Sequence, residues 1–270
     1  MSVIEEYFND EIEISHCINE FPVNEDFIMH IHDLCEMLCF VSGEADFIVE
    51  GNSYKMQSGC IVIARASESH KINIKGCETY ERYVINFSPK YLLNCGFSPE
   101  ILKAFEDRKL GEKNVYFPDE LAGIYPIEFF RNFFYDSKHN NWEDVFKARL
   151  TALLCSLNSA FHNKSGNSGN RYTYNELIDY VNKNLFGDVS LKKISCDLHL
   201  SVSQINRNFK ELTGSTVHNY VISKRLIAAQ KMINEGKNAN EACRLSGFND
   251  YSAFFRIYKK RFGIAPTSAK

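Results

Sequence analysis

No stretch of this 270-residue chain approaches the roughly 20 consecutive apolar residues that cross a bilayer. The amino terminus, Met1-Ser-Val-Ile-Glu-Glu-Tyr7, lacks the basic start and apolar core of a secretory signal, so a cytoplasmic chain with no membrane partner is expected. Nine cysteines include no Cys-x-x-Cys pair, and the closest two, Cys35 and Cys39, stand four apart. That removes dithiol and zinc-knuckle motifs and leaves reduced thiols, mostly buried as small apolar groups. A strong overall charge is missing as well, since the formal net charge is -3.

That near-neutrality hides a division. From Arg171 onward sixteen Lys and Arg face eight Asp and Glu, whereas the first 170 residues carry fifteen against twenty-six. An acidic front repels a polyanion and a basic back attracts one. With 44% apolar composition, the length suits two ordinary domains with real cores.

The basic part reads as two helix-turn-helix units. Leu191, Ile194 and Leu198 form one helical stripe, and Ile205, Phe209 and Leu212 form a second after the turn at Leu200-Ser201, where the Ser201 hydroxyl suits a helix cap. Ser203, Asn206, Arg207 and Lys210 share the opposite face of the second helix. Asn pairs with an adenine edge, Arg with a guanine edge, and Lys with phosphate. A solvated helix face is the plain alternative for one such helix, but the layout recurs. Ala239, Ala242 and Leu245 make a modest stripe, Gly247-Phe248-Asn249-Asp250 turns the chain, and 251–262 supplies another exposed helix. There Phe254, Tyr258 and Phe262 are expected inward. Tyr251, Ser252, Phe255 and Arg256 are expected outward, flanked by Lys259 and Lys260. A helix from about 217 to 233 would space the units by roughly 25 Å, against about 34 Å for one turn of B-DNA.

These residues resemble the AraC/XylS family of bacterial transcription regulators over about the last 95 residues. The likeness rests on Leu200-Ser201, Arg207-x-Phe209-Lys210, Gly214, Tyr220, Arg225-Leu226 and Ala229. It continues through Gly247-Phe248-x-Asp250-x-Ser252-x-Phe254-x-Arg256, Lys259, Gly263 and Pro266. The resemblance implies Ser203, Asn206 and Arg207, then Tyr251, Ser252 and Arg256, as base-facing positions on a double-stranded DNA operator. It also leaves RNA polymerase open as a further partner. Ala239 and Ala242 stand where the family usually has large aliphatics, which implies a second unit packed loosely or held mainly by DNA or by the first unit, and the family's closing Tyr-Arg is here Ala269-Lys270.

The acidic part is a run of short strands over 27–32, 36–41, 45–50, 53–56, 60–64, 70–74 and 82–87, separated by turns such as Ser42-Gly43, Gly51-Asn52 and Ser58-Gly59. Strands this short and regular predict a sandwich or barrel. His30-x-His32-x-x-x-Glu36, Gly43 and His70 resemble the metal motif of the cupin superfamily. Its second half is eroded, with Arg65-Ala66-Ser67-Glu68-Ser69 replacing the Pro-x-Gly before the histidine. The expected reading is therefore no metal and no cofactor, with the histidines hydrogen-bonded inside a cupin-like β-barrel or lining its pocket. His30, His32, Glu36, Arg65, His70 and Arg82 are the candidate pocket residues, and their mixed charges suit a polar effector such as a sugar or an acid.

Residues 98–162 are expected to be helical. Ser98-Pro99-Glu100 opens a helix ending near Gly111, another starts about Ile127, and Asn141 caps a long amphipathic one carrying Trp142, Val145, Phe146, Leu150, Leu153, Leu154, Leu157 and Phe161. In the family such helices commonly dimerise the protein, so a homodimer is expected. Asn163 to Asn170 reads as a polar linker, and Thr173 to Glu176 as a capping box. The fold expected is thus α+β multidomain: a barrel over 1–97, helices over 98–162, a linker over 163–170, and an all-α tandem helix-turn-helix domain over 171–270. The function expected is ligand-controlled, sequence-specific DNA binding without enzymatic activity. A metal-dependent cupin enzyme fused to a DNA-binding tail and a ligand-independent DNA binder are the alternatives.

Overall fold

The computed structural model describes residues 2–8, 12–136, 141–164 and 176–268. The chain divides into two compact units, Met1–Thr173 and Tyr174–Lys270. The expected linker falls largely, and the expected capping residue Thr173 wholly, outside the described residues.

Unit one is built on β1 (Ser2–Phe8), β2 (Ile12–Asn19), β3 (Cys35–Ser42), β4 (Ala45–Val49), β5 (Asn52–Lys55), β6 (Ile61–Ala64), β7 (His70–Ile74) and β8 (Tyr80–Phe87). Then follow α1 (Pro89–Asn94), α2 (Lys103–Glu106), β9 (Val115–Tyr116), α3 (Pro126–Asp136) and α4 (Trp142–Asn163). All strand pairs are antiparallel. One sheet runs β1-β2-β8-β3-β6-β9 and the other β5-β4-β7.

The larger sheet is covered on both faces. Met37, Cys39, Ile63, Ile85 and Phe87 meet the helices, where Phe105, Phe130, Phe133, Leu150, Leu154 and Leu157 complete one core. Leu38, Phe40, Val62 and Val84 face the other way and pack with Phe47, Val49, Ile72 and Ile74 of the small sheet. Burial on both faces explains why β3 and β6 are nearly continuous apolar runs rather than alternating ones.

Several expectations change here. No strand forms over 27–32; His30 makes only an isolated bridge with His70. β1 and β2, unforeseen in the sequence, add two long strands at the sheet edge. β9 joins the sheet beyond residue 97, where the barrel was expected to end. The helix expected over 98–111 is a 3-10 turn at Pro99–Leu102 followed by the short α2.

The return of the chain after α2 is held by a buried ion pair. Glu68 is fully buried and Arg108 nearly so. The guanidinium donates to both carboxylate oxygens at 2.6 Å, and Gly111 N (2.9 Å), Arg65 N (3.0 Å) and Asn114 Nδ2 (3.2 Å) donate to the same group. Burial raises the Glu68 pKa, but Arg108 and these donors outweigh it and hold the carboxyl down at about 2. Gly111 has φ +73° and no room for a side chain: a Cβ there would sit 2.5 Å from Asn52 Nδ2.

Unit two holds α5 (Glu176–Lys183), α6 (Leu191–Leu198), α7 (Val202–Thr213), α8 (Val217–Asn234), α9 (Ala239–Leu245) and α10 (Tyr251–Phe262). Five of these begin on a side-chain cap: Ser190, Ser201, Thr216, Asn238 and Asp250. Each satisfies a backbone N–H that the first helical turn leaves without a partner. Ser201 and Gln204 form a reciprocal capping box.

The pair of helix-turn-helix units is present, with α8 between them. The second unit is not loose. Ala242, Phe254 and Tyr258 are fully buried, with Cys243, Leu226, Ala229 and Ile233 around them, so aromatic rings from α10 pack into the cluster that holds Ala242. Leu245, expected in that stripe, is exposed, and Phe262 is only partly buried.

Glu68→Gln is expected to cost about 3–5 kcal/mol, because it strands the Arg108 charge in the interior. Chemical unfolding read through the single tryptophan, Trp142, which packs edge-on against Tyr7 at 4.7 Å, measures it. A loss below about 1 kcal/mol would mean that the pair contributes no more than a surface contact.

Candidate nucleic-acid interface and ligand pocket

On α7 the apolar side is used up inside the unit: Ile205 and Phe209 are fully buried, and the Phe209 ring meets Tyr220 of α8 edge-on at 5.1 Å. Helical spacing then puts Ser203, Asn206, Arg207 and Lys210 on the other side, and all four are exposed. On α10 the inward pair is Phe254 and Tyr258. Ser252, Arg256, Lys259 and Lys260 are exposed, whereas Tyr251 and Phe255 are half-buried. The Tyr251 ring lies 5.9 Å from Phe254 and 6.3 Å from Phe255, so this aromatic edge supports the helix as well as bordering its outer face.

Asn206 of α7 and Asp250, Ala253 and Ile257 around α10 border one open groove of about 1140 Å³ along α8. Parts of both helix-turn-helix units thus border one groove along the connecting helix. α8 has 18 residues, a rise of about 27 Å.

Arg225 fixes the geometry from inside this groove. Its Nε donates to Leu185 O at 2.8 Å, one terminal nitrogen to Gly247 O at 2.7 Å and the other to Gly187 O at 2.7 Å. One side chain thus ties the loop before α6 to the turn between α9 and α10. Gly247 sits so close, at φ +85°, that a Cβ would come within 3.0 Å of Arg225 Nε. The sequence pointed to Arg225 only as part of a family pattern; its role as a clamp needed the fold.

In unit one, a cavity of about 360 Å³ opens between the sheets, a size that suits a small ligand. Alternate residues of the large sheet line it in register: Glu13 beside Asn86 and Glu36, Ser15 beside Val84 and Leu38, Cys17 beside Arg82. Phe47, His70 and Ile72 of the small sheet form the facing wall. Period-two alternation is the cause, since each strand sends every second side chain into the space between the sheets.

Of the six pocket residues expected from the sequence, His30, Glu36, His70 and Arg82 line this cavity. His32 lies outside its wall but stacks with His30 at 5.6 Å and meets His70 edge-on at 5.0 Å. Arg65 turns elsewhere and donates to Glu106 O at 2.9 Å. Arg82 lies over the rings of Phe27 and Tyr80, 5.5 and 5.4 Å from their centroids. Glu13, Ser15, Cys17 and Asn86 were missed. The alternation Ile12-Glu13-Ile14-Ser15-His16-Cys17-Ile18 was the available signal for β2.

Electrostatics follow from burial. Desolvation pushes the Glu36 carboxyl up, but His70 and His32 more than offset it, leaving it well below the usual carboxylate range. Desolvation lowers His70, but Glu36 wins and raises it. His30 falls to about 4 through burial and the neighbouring His70. His30 as a residue is nevertheless exposed at the pocket mouth, which screens that effect.

A family model described as an AraC-like ligand binding domain matches residues 17–116, and one described as a helix-turn-helix domain matches residues 194–270. LumQ of Photobacterium leiognathi, a probable transcriptional regulator, is 34% identical over 93 residues, which cover 34% of this chain and 38% of LumQ. The chain thus matches well under half the length of that relative. RhaS of Yersinia pestis, an HTH-type transcriptional activator, is 23% identical over 257 residues, covering 89% of this chain and 88% of RhaS. Among solved structures, ToxT from Vibrio cholerae covers 96% of both chains at 13% identity, with a TM-score of 0.43. The chain is a DNA-binding transcriptional regulator that carries its own ligand-binding domain. It belongs to the AraC family. DNA and a small-molecule effector are accordingly its two classes of partner. Among the described residues no helix is long and apolar enough to cross a membrane.

Arg225→Met is expected to lower the stability of unit two by about 2 kcal/mol, because three carbonyls lose a charged donor. Hydrogen exchange at the backbone of 185–187 and 247 measures it. Unchanged protection at those amides would show that the clamp is not needed.

Proposed function

We propose that the protein switches transcription by holding the two exposed helix faces, Ser203/Asn206/Arg207/Lys210 and Ser252/Arg256/Lys259/Lys260, in successive major-groove segments of an operator. The observation that carries this reading is the presence of two capped helices, each with an exposed polar face, that border one groove along α8, whose length of about 27 Å compares with one turn of B-DNA at about 34 Å. Asn206, Arg207, Ser252 and Arg256 are the base-reading groups, and the lysines hold phosphate. Tyr251 and Phe255, half-buried, add apolar contact at the edge of the same face.

The effector occupies the cavity between the sheets of unit one. Carboxylates from Glu6, Glu13, Asp26 and Glu36 outnumber the cations Lys71 and Arg82 around it, which favours a small, hydroxyl-rich molecule over a simple anion. Binding changes DNA affinity only to the extent that it favours one state of the protein over another. RNA polymerase contact and a cytoplasmic, nucleoid-associated location belong to the same proposal.

The homodimer expected from the sequence needs a different surface from the one foreseen. The wide apolar stripe of α4, from Phe146 to Phe161, is consumed by the core of its own unit. Between the exposed polar residues at its two ends (Glu143 and Asp144, His162 and Asn163), α4 leaves Ala148, Ala152, Cys155 and Ser159 outward, spaced to form one row. Small side chains let two copies of the helix approach closely about a two-fold axis.

Arg207→Ala and Arg256→Ala should each weaken binding to an operator selected from random duplexes by about 1–3 kcal/mol and relax specificity at the contacted base. Equal losses on unrelated DNA at the same ionic strength would reassign them to phosphate. Under mild oxidation, a variant with Cys77, Cys95 and Cys196 changed to Ser should form a Cys155-linked dimer. A chain that sediments as a monomer at micromolar concentration and does not cross-link would sink the dimer.

A further inference from the structure

A line of polar side chains crosses four strands on the cavity side of the large sheet. Glu13 of β2 and Glu36 of β3 flank Asn86 of β8 in direct register. Glu6 of β1 stands opposite Ser15, the next inward residue of β2. All of them line the cavity. Residues directly opposite on antiparallel strands have Cβ atoms about 4.5–5.5 Å apart, so each member of the line is within reach of the next.

Most of this line has no partner. Glu36 has Nε2 of His32 and of His70 beside it, each 3.4 Å from the same oxygen, Oε2. Glu6 and Glu13, by contrast, make no ion pair or hydrogen bond among the described residues. Asn86 Oδ1 is buried without a donor. Ser15 is only 7% exposed, and its hydroxyl accepts a weak bond from the Cys17 thiol at 3.8 Å while donating to nothing among the described residues. Buried polar groups are normally paired, and an unpaired one is costly. A ligand that brings positive charge and N–H donors removes that cost.

The protein's own cations are turned away from this end of the cavity. Arg82 lies four residues from Asn86 along β8, about 13 Å, and is stacked over Phe27 and Tyr80. Lys71 alternates with the buried His70 and Ile72, so its side chain belongs to the outer face of the small sheet.

The chemistry of the missing cation is narrowed by what surrounds it. A metal ion needs ligand atoms that converge, and no group of three metal-ligating side chains among the described residues includes Glu6 or Glu13. A quaternary ammonium needs open aromatic faces, but Phe27 already carries Arg82, and Phe47 is stacked with His70 at 5.6 Å. A primary ammonium brings its charge together with N–H donors, which is what carboxylate and amide oxygens lack here.

We infer that the effector carries a primary ammonium group, seated on Glu13, Asn86 and Glu36, and that the cavity selects hydroxylated amines (amino sugars and amino alcohols) over their neutral counterparts. A volume of about 360 Å³ accommodates such molecules at monosaccharide size, with Ser15 left to meet a hydroxyl. The inference rests on the effector-cavity reading above and narrows it to one chemical class.

The test is calorimetric titration and thermal shift on the full chain, with probes matched in shape. Glucosamine is compared with glucose and N-acetylglucosamine, and ethanolamine with ethylene glycol and choline. At least one free amine should bind one-to-one and roughly 10–100-fold more tightly than its neutral or quaternary counterparts, the range expected for hydrogen bonds to a charged group. Glu13→Gln, isosteric and at a half-buried position, should abolish that preference without lowering the melting temperature of the unliganded protein. Glu6→Gln, at an exposed position, should weaken it less, and Lys71→Met should leave it intact. Neutral probes that bind as tightly as the amines, or an amine preference that survives Glu13→Gln, overturn the ammonium seat while leaving the cavity as the effector site. Silence from every probe overturns the ammonium seat too. Amine binding that leaves operator affinity unchanged keeps the seat and counts against the effector reading instead.

Discussion

Unit one depends on a charge that has nowhere else to go. Glu68 has no exposure to solvent, and the interior tolerates its carboxylate only because Arg108 and three further N–H donors surround it. A buried pair of this kind gains little over an apolar replacement, but losing one partner is expensive. Its value is positional. The same residue sends its carbonyl to His70 and its carboxylate to Gly111, and Gly111 in turn accepts from Asn52 and Tyr54. The turn before β7, the loop after α2 and the edge of the small sheet are thereby locked to one another. Everything polar at the cavity floor inherits its coordinates from that lock.

Unit two uses the opposite strategy. Its organising group, Arg225, meets backbone oxygens at partly exposed positions and has no carboxylate partner among its hydrogen bonds. Short helices that bury little alone gain from caps and from a shared connecting helix, and five side-chain caps in succession supply that here. The result keeps the polar faces of α7 and α10 exposed while their apolar faces are fully committed to the interior. In both units, burial of one face determines what the other can offer.

The helical part was legible because 3.6-residue periodicity, cap residues and turn glycines all agree there. Ser201, Gly214, Asp250 and Gly263 mark boundaries that a reader can see in the letters alone. The aromatic filling around Ala242 was not legible, because which ring occupies a void depends on the crossing of two helices. In unit one, β3 to β8 were visible as short apolar or alternating runs, but β1 and β2 were overlooked, since Val3-Ile4 and Glu5-Glu6 give β1 no alternation, the alternation of β2 slips at His16, and no Gly or Pro separates Phe8 from Ile12. Losing β2 hid Glu13, Ser15 and Cys17 from the pocket. The partner of Glu68 was equally invisible: Arg108 lies 40 residues away in sequence, and nothing in its neighbourhood favours it over Arg65.

All three acceptors of the Arg225 clamp are main-chain oxygens, so the identities of the side chains at Leu185 and Gly187 do not enter it. Only Gly247, which has no space for a methyl group beside the guanidinium, is constrained by composition. The loops flanking the clamp can therefore drift in sequence, and with them whatever they touch, while the distance between the two probes stays the same. A lineage carrying this arrangement could acquire new operator sequences one residue at a time without renegotiating the pitch at which it straddles the duplex.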